Sequence, residues 1–211
     1  YEAEVILGVG TDTLDMTGEV LETKKDEDIN DQQIKEVLKT FIGNIEQEVP
    51  LYSAIKVDGK KLYEYARENI PVDLPKKRIT ISSLDLIGNI IRDKDTIKFK
   101  IKCDVSKGTY IRSLVRDIGL KLNTPACMGD LNRIKQGEYT IDNCYSLEEI
   151  KNNNYKLISM KEALHNFKQV KVDKNIETKI MDGMILDRFF KEPIAVILND
   201  EDEVIGIYET Y

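Results

Sequence analysis

Residues 106–119 read SKGTYIRSLVRDIG, a cationic strand joined to an amphipathic helix through a glycine. Upstream, Ile97, Phe99, Ile101, Cys103 and Val105 alternate with Lys98, Lys100, Lys102 and Asp104, the period-two pattern of a strand with one buried face. Downstream, Ile111, Leu114, Val115, Ile118 and Leu122 recur at helical spacing. Gly108 can adopt backbone angles that side chains forbid, and Thr109 is placed to cap the helix. Tyr110 and Arg112 then emerge where free backbone N–H groups favour an anion. Arg112 and Arg116 lie one turn apart, and like charges at that spacing cost a helix about 0.2–0.5 kcal/mol unless a carboxylate or phosphate sits between them. A polyanion supplies that partner; local pairing of Arg116 with Asp117 or Asp130 is the plain alternative.

The surrounding elements must position this junction. The chain opens with YEAEVILG, a strand with Tyr1, Ala3, Val5 and Leu7 on one face, followed by the polar, turn-rich TDTLDMTGEV. Ile34, Val37, Leu38 and Phe41 predict a helix over residues 31–41, capped by Asn30 with Gln33 and ended by Gly43. An extended segment, a turn at Val57-Asp58-Gly59-Lys60 and a short helix with Leu62, Tyr65 and Ala66 inward come next, before Pro71 and Pro75 break the run. Residues 78–86 and 96–105 read as an antiparallel hairpin turning near residues 88–94. The polar run at residues 151–154 marks a boundary, so a main body is expected over residues 1–151 and a linker with a small second unit over 152–211. In that second unit residues 160–167 look helical, and a final hairpin turns at residues 199–202.

The net charge of −7 argues at first against a phosphate-chain ligand, because such affinity comes from Lys and Arg. Its distribution changes that reading. Residues 1–50 hold thirteen acidic and four basic side chains, whereas residues 94–116 hold seven basic and two acidic, and residues 56–67 four basic and two acidic. A basic groove on a negative body fits this pattern. With 41% hydrophobic residues the chain can bury a core of ordinary size. No apolar stretch approaches the ~20 residues that span a bilayer and no basic-then-apolar leader precedes Tyr1, so no membrane and a cytoplasmic setting are expected. Cys103, Cys127 and Cys144 are odd in number and never spaced C-x-x-C, which predicts free thiols rather than disulfides or a zinc site. His165, the only histidine, sits beside Leu164 and Phe167 and reads as a packing residue, leaving no basis for Ser-His-Asp chemistry.

Taken together, three runs resemble the TruB-type tRNA pseudouridine synthases. YEAEVILGVGTDTLDMTGEV is similar to that family's strand followed by T-D-T-x-D-x-x-G. QEVPLYSAIKVDGKKLYEYAR is similar to its Q-x-P-P-x-Y-S-A-x-K-x-x-G-x-x-x-Y-x-x-A-R segment, with Val49 in place of the first proline. SKGTYIRSLVRDIG with LNRIKQGEY resembles the third. The likeness covers residues 1–150 closely and the tail by position. It implies an α+β pseudouridine-synthase fold, a mixed, mostly antiparallel sheet flanked by helices, with a small C-terminal PUA-like β unit. It further implies an isomerase acting on one uridine of the tRNA T-loop, with the tRNA T-arm as partner, no obligate protein partner, and neither metal nor organic cofactor. The family's nucleophile is an aspartate in a G-x-L-D-P-x-A-x-G-x-L motif upstream of the opening strand. These 211 residues contain no such motif, so the chain is expected to be inactive alone. Thr13-Leu14-Asp15 with Thr17-Gly18 imitates part of it, yet Asp15 lacks the following proline and comes after the strand. Order along the chain assigns Asp12 and Asp15 to the T-D-T-x-D motif as turn formers.

Pseudouridine formation detaches uracil, rotates it and rejoins it through C5, which requires a nucleophilic carboxylate, a surface to hold the detached base and a proton acceptor. The base must leave its stack, and an aromatic ring is a natural surface to receive it. On the resemblance, Arg112 would hold the aspartate through a charge-assisted fork and keep it ionised. Tyr110 would lie against the base and take the C5 proton, Tyr1 would stack on the flipped uracil, and Leu131 would form an apolar wall. Lys56, Lys60, Lys61 and Lys107 would contact phosphates, with Tyr52 or Tyr63 packed beneath. Two other classes stay open at this level: a non-catalytic RNA-binding module, and the related guide-RNA-dependent synthase. The lack of a lysine-rich tail and of strong positive charge counts against the second.

Overall fold

Period-two alternation builds the main sheet. The computed structural model describes residues 1–25 and 29–210. In it, β1 (Glu2–Leu7) leads into a ribbon of β2 (Val9–Thr11) and β3 (Val20–Thr23) that brackets the TDTLDMTGEV turn. After α1 (Asp31–Lys39) come β4 (Gly43–Glu48), a hairpin of β5 (Lys56–Val57) and β6 (Lys60–Lys61), and α2 (Leu62–Arg67). The long pair β7 (Lys76–Arg92) and β8 (Ile97–Val105) precedes α3 (Ile111–Lys121), β9 (Ala126–Asn132), and a ribbon of β10 (Lys135–Gln136) and β11 (Tyr139–Thr140). The five main strands lie in the order β4-β7-β8-β1-β9, every neighbour antiparallel. This is the α+β, mostly antiparallel arrangement that the family resemblance implies. β1, flanked by β8 and β9, sets Ala3 against both Ile101 and Leu131.

One core joins sheet and helices. Val5, Leu7, Ile81, Phe99 and Ile101 pack with Ile34, Leu38 and Phe41 from the α1 region and with Ile111, Leu114, Val115 and Ile118 from α3. Leu114 is fully buried, so Leu114→Ala should destabilise this unit by about 2–5 kcal/mol, read as a shift in the urea midpoint. A cost below ~1 kcal/mol would mean that α3 is not packed as described.

Local rules account for most boundaries, with instructive exceptions. Asn30 and Gln33 form the expected capping box, but α1 stops at Lys39 and Gly43, at φ +113, opens β4 instead of ending the helix. Asp58 and Gly59 both have positive φ, as a two-residue hairpin turn requires. The β7–β8 turn lies later than expected. Gly88, at φ +68, falls where the register shifts and lets β7 run on to Arg92, and the chain reverses where the Asp93 N–H donates to the Thr96 carbonyl (2.9 Å). Thr109 does not cap α3; its hydroxyl turns back to the Ser106 carbonyl (2.9 Å) and Tyr110 takes the N-cap position.

The chain divides into Tyr1–Cys144 and Tyr145–Tyr211, a few residues before the expected boundary. The polar run at 151–154 is the end of a helix: α4 (Leu147–Lys151) begins with a Ser146/Glu149 capping box and closes into Asn153 at φ +57. In the second unit α5 (Met160–Ala163) is shorter than its pattern indicated, and β12 (Lys168–Lys171) and α6 (Lys174–Met181) were not anticipated. β12 pairs in parallel with β13 (Ile194–Leu198), which forms the expected hairpin with β14 (Val204–Glu209). Val172, Ala195 and Ile197 are the centre of its small core, joined by Ile176, Phe189, Phe190 and Tyr208. His165 is exposed rather than packed, its Nδ1 2.8 Å from the Glu162 carbonyl. Among the described residues no helix is long and apolar enough to cross a membrane.

Candidate active site

The start of α3 is built so that an arginine reaches across three segments. Gly108, at φ +86, lets the chain turn through the left-handed region that glycine favours, with the flexible end of Lys77 packed against it. Two residues into the following helix turn, Arg112 donates through Nη1 to the Thr13 carbonyl (3.0 Å) and to Asp15 Oδ2 (3.1 Å), and through Nη2 to the Tyr52 carbonyl (3.0 Å). Its Nε–H and one Nη2–H find no acceptor among the described residues. Arg116 takes a separate course, binding Asp117 and Glu48 rather than Asp130.

The TDTLD turn supplies the arginine's acceptors because its own aspartates hold it in shape. Asp12 Oδ1 accepts from the backbone N–H groups of Thr13 (2.8 Å) and Glu19 (2.8 Å), while Oδ2 accepts from the Tyr52 hydroxyl (2.9 Å). Asp15 Oδ1 accepts from the Thr13 hydroxyl (2.8 Å), the Thr17 N–H (3.0 Å) and the Thr17 hydroxyl (2.5 Å), which leaves Oδ2 for Arg112. Leu14, at φ +63, and Met16 bond the backbone of Met128, pinning the turn to β9. Burial raises the Asp15 carboxyl, but the Thr17 and Thr13 hydroxyls, the Thr17 N–H and the Arg112 charge together hold it below the ordinary aspartate value. The Tyr52 hydroxyl is raised by donating to Asp12 and by burial. Cys127, on β9, is pushed up to about 11 by burial and the Asp15 charge, so it stays a thiol.

The turn formation expected of Asp12 and Asp15 is therefore present, but the pairing of Asp15 with Arg112 was not foreseen. Three separated runs meet at one guanidinium: Thr13 and Asp15 from the first, Tyr52 from the second, Arg112 from the third. The family model described as TruB family pseudouridylate synthase (N terminal domain) matches residues 1–111, and that of the tRNA pseudouridylate synthase B C-terminal domain matches residues 112–186. The chain belongs to the TruB family. It is 36% identical to the tRNA pseudouridine synthase B of Halalkalibacterium halodurans, an alignment covering 100% of this chain and 72% of that protein. Identity is 40% with the protein of the same name from Bacillus cereus (99% and 71% covered) and 38% with that from Staphylococcus aureus (99% and 73% covered). Among solved structures, a Cbf5-Nop10-Gar1 complex shares the fold at TM-score 0.53 and 19% identity, covering 99% of this chain and 59% of the matched chain. An H/ACA RNP bound to a substrate RNA containing 2'-deoxyuridine matches at TM-score 0.52 and 17% identity, with 99% and 58% covered.

Within this TruB-family chain the other candidate residues fall into separate groups. Tyr1 lines a cleft of about 900 Å³ with Arg133, Lys135 and a run that includes Lys102, Lys107, Gly108 and Thr109 and ends one residue before Tyr110. The Arg133 guanidinium covers the Tyr1 ring at 5.1 Å, a contact the sequence pattern did not indicate. Leu131, 46% exposed on β9, does not line that cleft, and neither does Arg112. Of the four lysines, Lys107 lies on the cleft, whereas Lys56, Lys60 and Lys61 sit on the β5–β6 hairpin. Lys60 is engaged by Glu68 and lies over Tyr65, and Lys61 bonds the Tyr63 hydroxyl (3.2 Å) and lies over its ring. Tyr63 thus packs beneath a lysine as expected, while Tyr52 is committed to Asp12. Cys103, Cys127 and Cys144 are free thiols, and among the described residues no group of His, Cys, Asp or Glu is arranged to hold a metal ion.

Proposed function

We propose that this chain serves uridine-to-pseudouridine isomerisation in the T-loop of tRNA by supplying the site around the nucleophile, the nucleophile itself coming from a family G-x-L-D-P segment. The observation that carries this is the Arg112 guanidinium. It is fixed from two directions by Thr13, Asp15 and Tyr52, and it keeps two N–H groups for a second carboxylate. A guanidinium held in this way keeps the nucleophilic aspartate ionised and oriented without reorganising at the moment of attack. Tyr110, at the N-cap, takes the C5 proton, Tyr1 stacks on the extruded base and Leu131 walls it. Lys107 and the other cations of the cleft hold the flanking phosphates, and Arg133 must yield the Tyr1 face that a base would occupy.

The test compares this chain alone with the chain joined to a G-x-L-D-P segment from a relative, using T-arm RNA labelled at uridine C5 and counting released tritium. Both forms should bind the RNA in a salt-sensitive way, and Lys107→Ala should reduce the salt slope by about one. Only the joined form should release label. A joined form that folds and binds yet releases none would defeat the proposal. Conversion by the chain alone would move the nucleophile into these residues and make Asp15 or Asp12 the suspect.

A further inference from the structure

Gln47 is among the largest fully buried side chains, at 1% exposure, and stands at an inward position of β4 where alternation calls for an apolar residue. Burying a primary amide is unfavourable unless both its ends are bonded. Here both ends go to one residue, 63 positions away. The Oε1 atom accepts from the Tyr110 N–H (2.8 Å) and Nε2 donates to the Tyr110 carbonyl (3.1 Å), the pair of hydrogen bonds that two paired strand residues would exchange.

Tyr110 stands at the junction this brace secures, its carbonyl also accepting the Leu114 N–H (3.0 Å) that begins α3. It sits between Gly108 in the left-handed region and the first turn of α3, with extended angles of φ −99 and ψ 111 and no side-chain cap of its own. Thr109, the residue placed to cap, is turned away to Ser106. A hydrogen bond on each side of the Tyr110 Cα fixes φ and ψ together, and hence the direction in which its side chain leaves the backbone. We propose that Gln47 is a positioning residue for the reaction, acting through Tyr110 by clamping its backbone in the orientation from which the ring meets the base. The proposal rests on the reading of Tyr110 as the group beside the base.

The clamp and its consequence are measured separately. In the 211-residue chain, Gln47→Met, similar in length but unable to bond, should speed amide exchange at Tyr110 by about tenfold or more while the Ile101 amide in β8 stays protected. Gln47→Glu keeps the acceptor and loses the donor, so it should show a smaller acceleration, and it decides the matter if the methionine variant does not fold. In the protein joined to a G-x-L-D-P segment, single-turnover rates at saturating enzyme should fall about 10- to 100-fold for Gln47→Met, with the Kd for T-arm RNA changed less than about twofold. Unchanged exchange at Tyr110 would overturn the clamp itself. Lost protection with an unchanged rate would overturn the link to chemistry through Tyr110's role. Rate and RNA affinity falling in parallel would reduce Gln47 to a structural residue and equally overturn the proposal.

Discussion

Replacing Arg112 by lysine in a protein that carries both this chain and the G-x-L-D-P aspartate is expected to slow the single-turnover rate by about 100-fold or more, with RNA affinity within about threefold of the parent. Charge is retained, so the phosphate-dependent part of binding survives. Geometry is lost. A single ammonium cannot serve the Thr13 carbonyl, Asp15 and the Tyr52 carbonyl while also presenting a planar pair of N–H groups to a further carboxylate. The side chain is only 25% exposed, so water cannot readily replace the missing donors, and the aspartate would face the base from a changed angle. Single-turnover kinetics at saturating enzyme isolates the chemical step. An undiminished rate, or a rate and an affinity that fall equally, would show that Arg112 binds RNA and does not orient the nucleophile.

Asp15→Asn is expected to cost about tenfold or more in the same rate and about 1–3 kcal/mol of stability. The two sides of Asp15 face donors only: the Thr13 and Thr17 groups on Oδ1 and Arg112 on Oδ2. An amide presents an acceptor to one side and a donor to the other, so one set of N–H or O–H groups must meet an NH₂. The effect should depend on pH in one direction. The folded-state pKa of Asp15 lies below its ordinary value of 3.8. Its stabilisation is thus fully present above that value and is lost as pH falls through the folded value. The stability gap between parent and Asp15→Asn should be constant from neutral pH down to about pH 5 and close in more acidic buffer. A gap that is already absent at pH 7, or one that widens on acidification, would refute the assigned ion pair. Retained turnover would leave Asp15 a turn former alone.

How far the molecule was legible from its residues depended on the range of the contact concerned. The buried alternation of Ile97, Phe99, Ile101 and Cys103, the Asn30–Gln33 capping box and the Asp58-Gly59 turn are all local, and each is present. Boundaries slipped where one residue type admits two uses. Glycine 88 permits a turn or a bulge, and neighbouring strand pairing selected the bulge. Threonine 109 can cap a helix or close a turn, and its hydroxyl went to Ser106. β12 and α6 were missed because they are short, half-exposed and only weakly periodic.

By itself the sequence revealed the alternation of β8, the amphipathic α3 and the capped start of α1 and, through its resemblance to known motifs, the family and the candidacy of Arg112, Tyr110, Tyr1 and Leu131, whereas β4 and β9 of the main sheet were not foreseen. Only the tertiary structure decided what those residues touch. Asp15 meets Arg112 across 97 positions because the turn that carries it is pinned to β9, and Gln47 meets Tyr110 across 63 because β4 runs beside the start of α3. Such pairs depend on sheet order and register, which no local pattern specifies. Gln47 leaves a trace in the chain as the first residue of the family's Q-x-P-P run and as a polar residue in an inward strand position, yet its partner becomes visible only once the strands are in place.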